Sequence, residues 1–247
     1  MSKVIEMFNK DKKNKFVGFD SETSGTNVLQ KHQILTAAFV KKTSELNVDD
    51  ILDIKLQLKP DAVVSDAALL CNGLNPHCFT WNRSSISYDE GRKKIENFVL
   101  TEAGNDSLLI GMAYNSTFDC SFFDDMFKHN YVNFSQMFDV ILDPWLLAKK
   151  LVNDKKIITK ELISPKNNKP YKSTKLQDVA EVLGTQAKGA PHSALPDVLT
   201  MFNTMEAMWK IYANKSLYEA TKEELAPFTI ETKLLIEETE INERKGF

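Results

Sequence analysis

Cysteine is scarce in this sequence: Cys71, Cys78 and Cys120 are the three thiols in 247 residues. That excludes the dense, even-numbered disulfide framework of a small secreted domain. Long apolar runs are absent too. No stretch approaches the roughly 18 apolar residues that cross a bilayer, and the opening MSKVIEMFNKDKKNK has no apolar core of the signal-peptide kind. Nor is one sign of charge in large excess. A formal charge of -3 and a pI near 5.9 give no global basic field, so a polyanionic partner has to be met by a local patch. There is no internal repeat and no low-complexity run, which removes solenoids and biased tails. These absences lead us to expect a soluble, intracellular protein of the cytoplasm, with no membrane partner.

What is present suffices for one large domain, since 43% of the residues are hydrophobic. KKNKFVGFD and HQILTAAFVKK read as strands. ILDIKLQLKP reads as a third, with Leu52, Ile54, Leu56 and Leu58 alternating as on a half-buried strand. The three together predict a meander. VSDAALLCNGLNP predicts a short helix stopped by Gly73, and Ser87 and Glu90 stand in capping-box spacing ahead of a longer one. SLLIGMAYN is strand-like. Beyond it FDCSFFDDMFKHN, DVILDPWLLAKKLV, TKLQDVAEVLG and HSALPDVLTMFNTMEAMWKIYANK carry helical periods, with Thr174 and Gln177 in a second capping-box spacing. Strands first and helices later, with one strand returning between helices, predict an α/β layered domain.

The stretch 153–174 is lysine-rich, broken by two prolines and without a sustained apolar period. It reads as an insertion, either a solvated loop or a flap that meets phosphates. Residues 216–247 read as a charged helical extension broken at Pro227. Cys71, His77 and Cys78 lie close in sequence, but no second cysteine pair completes a zinc set, and they are read as structural. Trp145 and Trp209 fall in apolar helical periods and belong to the core. Trp81, in the polar stretch HCFTWNRSS, is the surface candidate for base stacking.

The first strand ends in DSETSG. Residues two apart on a strand project to one face, so Asp20 and Glu22 share a small volume. Two like charges so close call for a raised pKa or for a hard cation with oxygen ligands. Asp119 follows the apolar strand SLLIGMAYN, after Asn115 and Phe118. Taken alone it reads as a helix cap. His192 and Asp197 open the last long helix in GAPHSALPDVLTMF, where a lone histidine also has an ordinary surface reading.

The ordered set D-x-E-T-x-G, N-x-x-F-D and H-x-x-x-x-D resembles the DEDD exonuclease superfamily, in its histidine-bearing branch. MFDVILDPWLLAKKL resembles that family's spacer helix. The likeness spans about 14–213, with the insertion and the extension as additions to a single exonuclease domain. It implies a ribonuclease-H-like mixed sheet flanked by helices, and removal of nucleotides from a 3′ end by hydrolysis. By the same resemblance Asp20, Glu22, Asp119 and Asp197 would hold two divalent metal ions, Mg²⁺ or Mn²⁺. His192 would be the general base. Thr23, Asn115 and Phe118 would contact substrate. The chemistry agrees: four clustered carboxylates need compensating positive charge, two-metal sites cleave phosphodiesters in line, and an imidazole near pKa ~6.5 can take a proton at neutral pH.

Two positions depart from the family pattern. Tyr114 stands where many relatives carry histidine, and the side chain that wedges beside the terminal base is either Thr26 or Val28. The implied partner is a nucleic acid with a free 3′ end, preferably single-stranded DNA. An RNA-trimming enzyme or a polymerase-associated proofreading subunit would keep the same five residues, because the metals read phosphate. A catalytically silent module that only binds 3′ ends is the alternative from another class. Retention of all four carboxylates and the histidine argues against it.

Overall fold

A computed structural model of the chain describes residues 14–42, 48–101, 108–128, 133–189 and 192–230. The first apolar run forms β1 (Lys15–Thr23), which continues through Asp20 and Glu22 instead of stopping before them. It pairs antiparallel with β2 (Ile34–Lys42), and β2 with β3 (Val48–Lys55), the expected meander. The alternation of Leu52, Ile54, Leu56 and Leu58 holds: Ile54 and Leu56 are buried, and the outer two are half-buried. On its other side β1 pairs parallel with β4 (Leu109–Met112), and β4 with β5 (Val140–Leu142). With β8 (Thr229–Ile230) at the edge, these make one mixed six-stranded sheet in the order β3-β2-β1-β4-β5-β8.

Helices cover both faces. α1 (Asp66–Asn72) and α2 (Phe79–Ser84) are short; α3 (Tyr88–Leu100) and α4 (Ser116–Phe127) pack on one face. Val17 and Phe19 of β1 point there, into a cluster with Phe39, Phe123, Phe134 and Phe138 whose ring centroids lie 4.6–6.0 Å apart. The opposite face carries α5 (Pro144–Asn153), α6 (Leu176–Leu183) and the long α7 (Ala194–Ala213), packed on Phe16, Val40, Ile110 and Met112. Gly73 ends α1 in the left-handed conformation, as predicted, and the Ser87 hydroxyl accepts from Glu90 N at the start of α3, one half of the predicted capping box, while the Glu90 carboxylate pairs with Lys94.

Five expectations need correction. Val140–Leu142 is a strand, not the start of a helix: Asp143 caps α5, accepting from Trp145 N at 3.0 Å, and Pro144 occupies the first turn. Trp81 is not on the surface. It is 5% exposed on α2, and its indole donates to Leu56 O at 3.0 Å. Trp145, conversely, is only half-buried. The second capping box does not form, since Lys175 is the N-cap of α6 and both Thr174 and Gln177 are engaged elsewhere. The C-terminal extension, expected to be helical with a break at Pro227, is helical only in short pieces and ends its described part in a strand. It holds a turn at Leu217–Glu219, α8 (Lys222–Leu225), a turn at Ala226–Phe228 and then β8, which pairs with β5; 231–247 lie outside the described residues.

Inside the lysine-rich insertion two short strands, β6 (Glu161–Ile163) and β7 (Pro170–Lys172), form an antiparallel hairpin separate from the main sheet. Among the described residues no helix is long and apolar enough to cross a membrane.

Candidate active site

The pleat of β1 decides where its acids go. Phe16, Gly18, Asp20 and Glu22 share the face covered by α7, while Val17, Phe19 and Ser21 face α4. At Gly18 the helix comes so close that a Cβ would stand 2.4 Å from the Phe202 ring and 3.0 Å from Val198. That tight approach brings Asp197, in the first turn of α7, over the end of β1. Asp20, Glu22 and Asp197 can each offer one carboxylate oxygen, all within 4.8 Å of one another. Among the described residues this is the group of acids, histidines and cysteines spaced to hold a metal ion.

Asp119 arrives from the other face, in the first turn of α4. Ser21 meets it there, its backbone N–H and hydroxyl both donating to Asp119 Oδ1 at 3.0 and 2.6 Å. Asp119 is therefore held beside the other three acids rather than within their oxygen cluster. The four affect one another electrostatically. Burial first, then Asp119, Glu22 and Asp197, push the Asp20 carboxyl well above its ordinary value. Burial and the charges of Asp197 and Asp119 raise Glu22 to about 7. Burial raises Asp119 to about 7 against the hydrogen bonds from Ser21. It raises Asp197 as well, against the opposing influence of His192 and Gln177. Such uncompensated negative charge, with oxygens this close, fits a hard divalent cation.

His192 is exposed, has a left-handed backbone (φ 59°) and lies close enough to Asp197 to act against the upward push of burial on that carboxyl. Asn115, also left-handed at φ 60°, caps α4 without a side-chain bond and opens to solvent. Its N–H donates to Asp143 Oδ1 at 2.9 Å, and Ser116 donates to Asp143 Oδ2 from both N–H and hydroxyl at 3.1 Å. Asp143 thus fixes the start of α4, whose first turn carries Asp119. Thr23 is buried and its hydroxyl donates to Gly25 O at 2.6 Å; Phe118 is half-buried against Phe122.

A cleft of about 730 Å³ runs from these residues outward. Asp20, Asp197, His192 and Asn115 line it, together with Gln177, Tyr114, Trp145 and the inner side of the β6–β7 hairpin. Thr23 and Phe118 are not part of this lining. Gln177 is a site residue that sequence reading missed: its amide donates to Asp197 Oδ1 at 2.7 Å, from a position that reads as a capping partner. Its true partner lies 20 residues away, which no local pattern signals. Ser21 was hidden likewise, although its place between the two acids of β1 put it on the face toward α4.

The architecture is that of the ribonuclease-H-like class, a mixed sheet with helices on both faces and acids at the carboxyl ends of its parallel strands. No family model and no curated protein matches the sequence. Solved structures do match. E. coli Exonuclease I in complex with a dA16 oligonucleotide superposes with a TM-score of 0.63 at 18% identity, over 80% of this chain and 41% of that one. The zinc-bound form of the E. coli ExoI–ssDNA complex gives 0.64 at 18%, over 81% and 41%. A moderately thermophilic Exonuclease I from Methylocaldum szegediense gives 0.62 at 18%, over 82% and 41%. The chain spans about two fifths of the length of those exonucleases.

Proposed function

We propose that this chain is a 3′-5′ exonuclease of the histidine-bearing DEDD branch that hydrolyses single-stranded DNA. The carrying observation is the carboxylate group of Asp20, Glu22 and Asp197, with Asp119 beside it, at the end of β1. A fold shared with Exonuclease I structures that hold oligonucleotides supports the reading. Asp20, Glu22 and Asp197, joined by Asp119, are the residues that would hold two divalent cations, Mg²⁺ or Mn²⁺. When bound, those cations supply the positive charge that hydrolysis of a phosphodiester requires.

The chain's own residues have separate tasks in this reading. His192, at the open rim and next to Asp197, takes the proton of the attacking water. Gln177 keeps Asp197 turned toward β1, and Ser21 keeps Asp119 from swinging away. Asn115 faces the strand from the cleft; Thr23 and Phe118, outside its lining, contact the terminal nucleotide.

The test is a time course on 5′-labelled single-stranded DNA and on RNA of the same sequence, each with Mg²⁺, Mn²⁺ or EDTA. A ladder shortening from the 3′ end of DNA, absent in EDTA, is expected. Faster shortening of RNA would make the chain an RNA-trimming enzyme. No ladder on either polymer would leave a 3′-end-binding module.

A further inference from the structure

The insertion concentrates charge of the opposite sign beside an acidic site. Over residues 153–174 it carries six lysines against two acids, within a chain whose formal charge is -3. Its hairpin is not a free loop. Leu162 pairs directly with Tyr171, and the strand pleat puts Lys160, Leu162, Tyr171 and Ser173 on one side, all of them in the cleft lining. The other side holds the Glu161–Lys172 ion pair, 3.3 Å, and Ile163, in solvent.

A two-stranded hairpin is marginally stable by itself, so something must hold this one. Asp178 of α6, 7% exposed, does so at the hairpin's base: Lys160 Nζ lies 2.6 Å from Oδ1, and the buried Ser173 hydroxyl donates to Oδ2. The next residue is also tied. Thr174 receives the Trp145 indole N–H on its hydroxyl at 2.9 Å and the Tyr114 hydroxyl on its carbonyl at 2.6 Å. Tyr171 nevertheless stays 44% exposed, and among the described residues its side chain is not one of the groups that anchor the hairpin. Above Trp145, Lys149 Nζ stands 3.7 Å from the ring centroid.

We infer that the Leu162–Tyr171 face of the hairpin is a stacking wall for the bases of single-stranded DNA adjoining the scissile phosphate. Three features carry the inference. The wall and the acids share one cleft, so a strand bound at the acids passes the wall. A partly exposed aromatic ring beside an aliphatic side chain suits base stacking without sequence preference, and lysines along the same groove suit the backbone. Finally, the anchoring to Asp178, Trp145 and Tyr114 keeps the wall fixed before the strand arrives. The inference rests on the exonuclease reading for its ligand, but its test does not depend on hydrolysis.

The experiment measures binding of 5′-labelled dT2 and dT12, with the 3′ hydroxyl free, to the full chain by fluorescence anisotropy, with Ca²⁺ in place of Mg²⁺ and gel controls for strand integrity. The unaltered chain, Tyr171→Ala, Tyr171→Phe and Leu162→Ala are compared, each checked for an unchanged melting temperature. Tyr171→Ala is expected to raise the Kd for dT12 about tenfold, the range of one lost base stack. Its effect on dT2 is much smaller, Tyr171→Phe restores binding, and Leu162→Ala shows a weaker version of the same pattern. Equal affinities of Tyr171→Ala and the unaltered chain for dT12 would overturn the wall while leaving the exonuclease reading intact. If the unaltered chain hydrolyses nothing yet loses dT12 binding in Tyr171→Ala, the wall stands and the catalytic reading falls. Absence of any oligonucleotide binding overturns both.

Discussion

The acids of the cleft stand on a nine-residue strand and a twenty-residue helix, whereas the facing wall is a hairpin of two three-residue strands. The first region is rigid because it is part of the core: Phe16, Val198 and Phe202 are all buried around the close approach at Gly18. The second region contributes little to any core and is placed by a few polar anchors. In the proposed reading, chemistry that depends on sub-ångström placement would sit where packing fixes it. Contacts that have to tolerate any base would sit on an excursion that a few bonds hold in place.

The largest expected break in this comparison lies on the acidic side. Asp20→Ala and Asp197→Ala should each remove hydrolysis of the labelled strand below detection, while calorimetry shows cooperative unfolding retained, because deleting one of several crowded charges relieves repulsion in the metal-free chain. His192→Ala should fall between, slower by ~10² to 10⁴-fold, the value of a positioned base. An unchanged rate in His192→Ala would take that residue out of the reaction. Loss of the fold in Asp20→Ala would make the cluster structural.

A smaller effect is expected from releasing the wall. Asp178→Ala leaves the Ser173 hydroxyl buried without its acceptor and frees Lys160. Burial raises the Asp178 carboxyl, but the hydrogen bonds from Lys160 and Ser173 outweigh that and hold it below the usual carboxylate range, so these bonds are the grip on the hairpin. The ion pair itself counts for little, because the Lys160 side chain is 56% exposed. We expect faster proteolytic nicking within 155–172 and a KM for dT12 raised several-fold, with kcat changed far less. A kcat loss as large as that of His192→Ala would mean that the hairpin orders the acids as well.

The same contrast explains what the sequence revealed. The shared face of Asp20 and Glu22 was legible because two acids at i and i+2 on a strand need no partner information, whereas Asp119, His192 and Asp197 each also read as a cap or a surface residue and were joined to that pair only by the resemblance of the ordered motifs to a family. The meander, the short helix before Gly73 and the cap at Ser87 followed from local periods and local bonds. Val140–Leu142 was not legible: three apolar residues are too short for alternation, and the helix beyond Pro144 absorbs them by eye. Trp81 misled because Asn82 and Arg83 are polar, although a helix can bury one residue and expose the next two. The hairpin was invisible because its pairing spans an intervening Ser-Pro-Lys-Asn-Asn-Lys segment that reads as a polar loop. Gln177 and Ser21 take their meaning from partners 20 and 98 residues away.

The smallest effect distinguishes the two regions without any substrate. Glu22 and Asp119 titrate at about 7 in the folded chain, and Asp20 and Asp197 are also raised. In an unfolded chain such groups release their protons near pH ~4. Between those limits the folded state holds more protons, so its stability is fully present below about pH 4 and falls as pH rises toward 7. In EDTA the melting temperature should therefore drop across pH 5 to 8. Mg²⁺ should restore several degrees at pH 8 and much less at pH 5, where protons compete for the same oxygens. Glu22→Gln should flatten the metal-free profile and raise its value at pH 8, because the charge being crowded is gone. Asp178→Ala, acting on a carboxyl whose pKa is lowered instead, should leave the slope of that profile in place while shifting it downward. A metal-free profile that rises from pH 5 to 8 in the unaltered chain and in Glu22→Gln alike would mean that the four acids are not crowded in solution, and the contrast between floor and wall would lose its electrostatic basis.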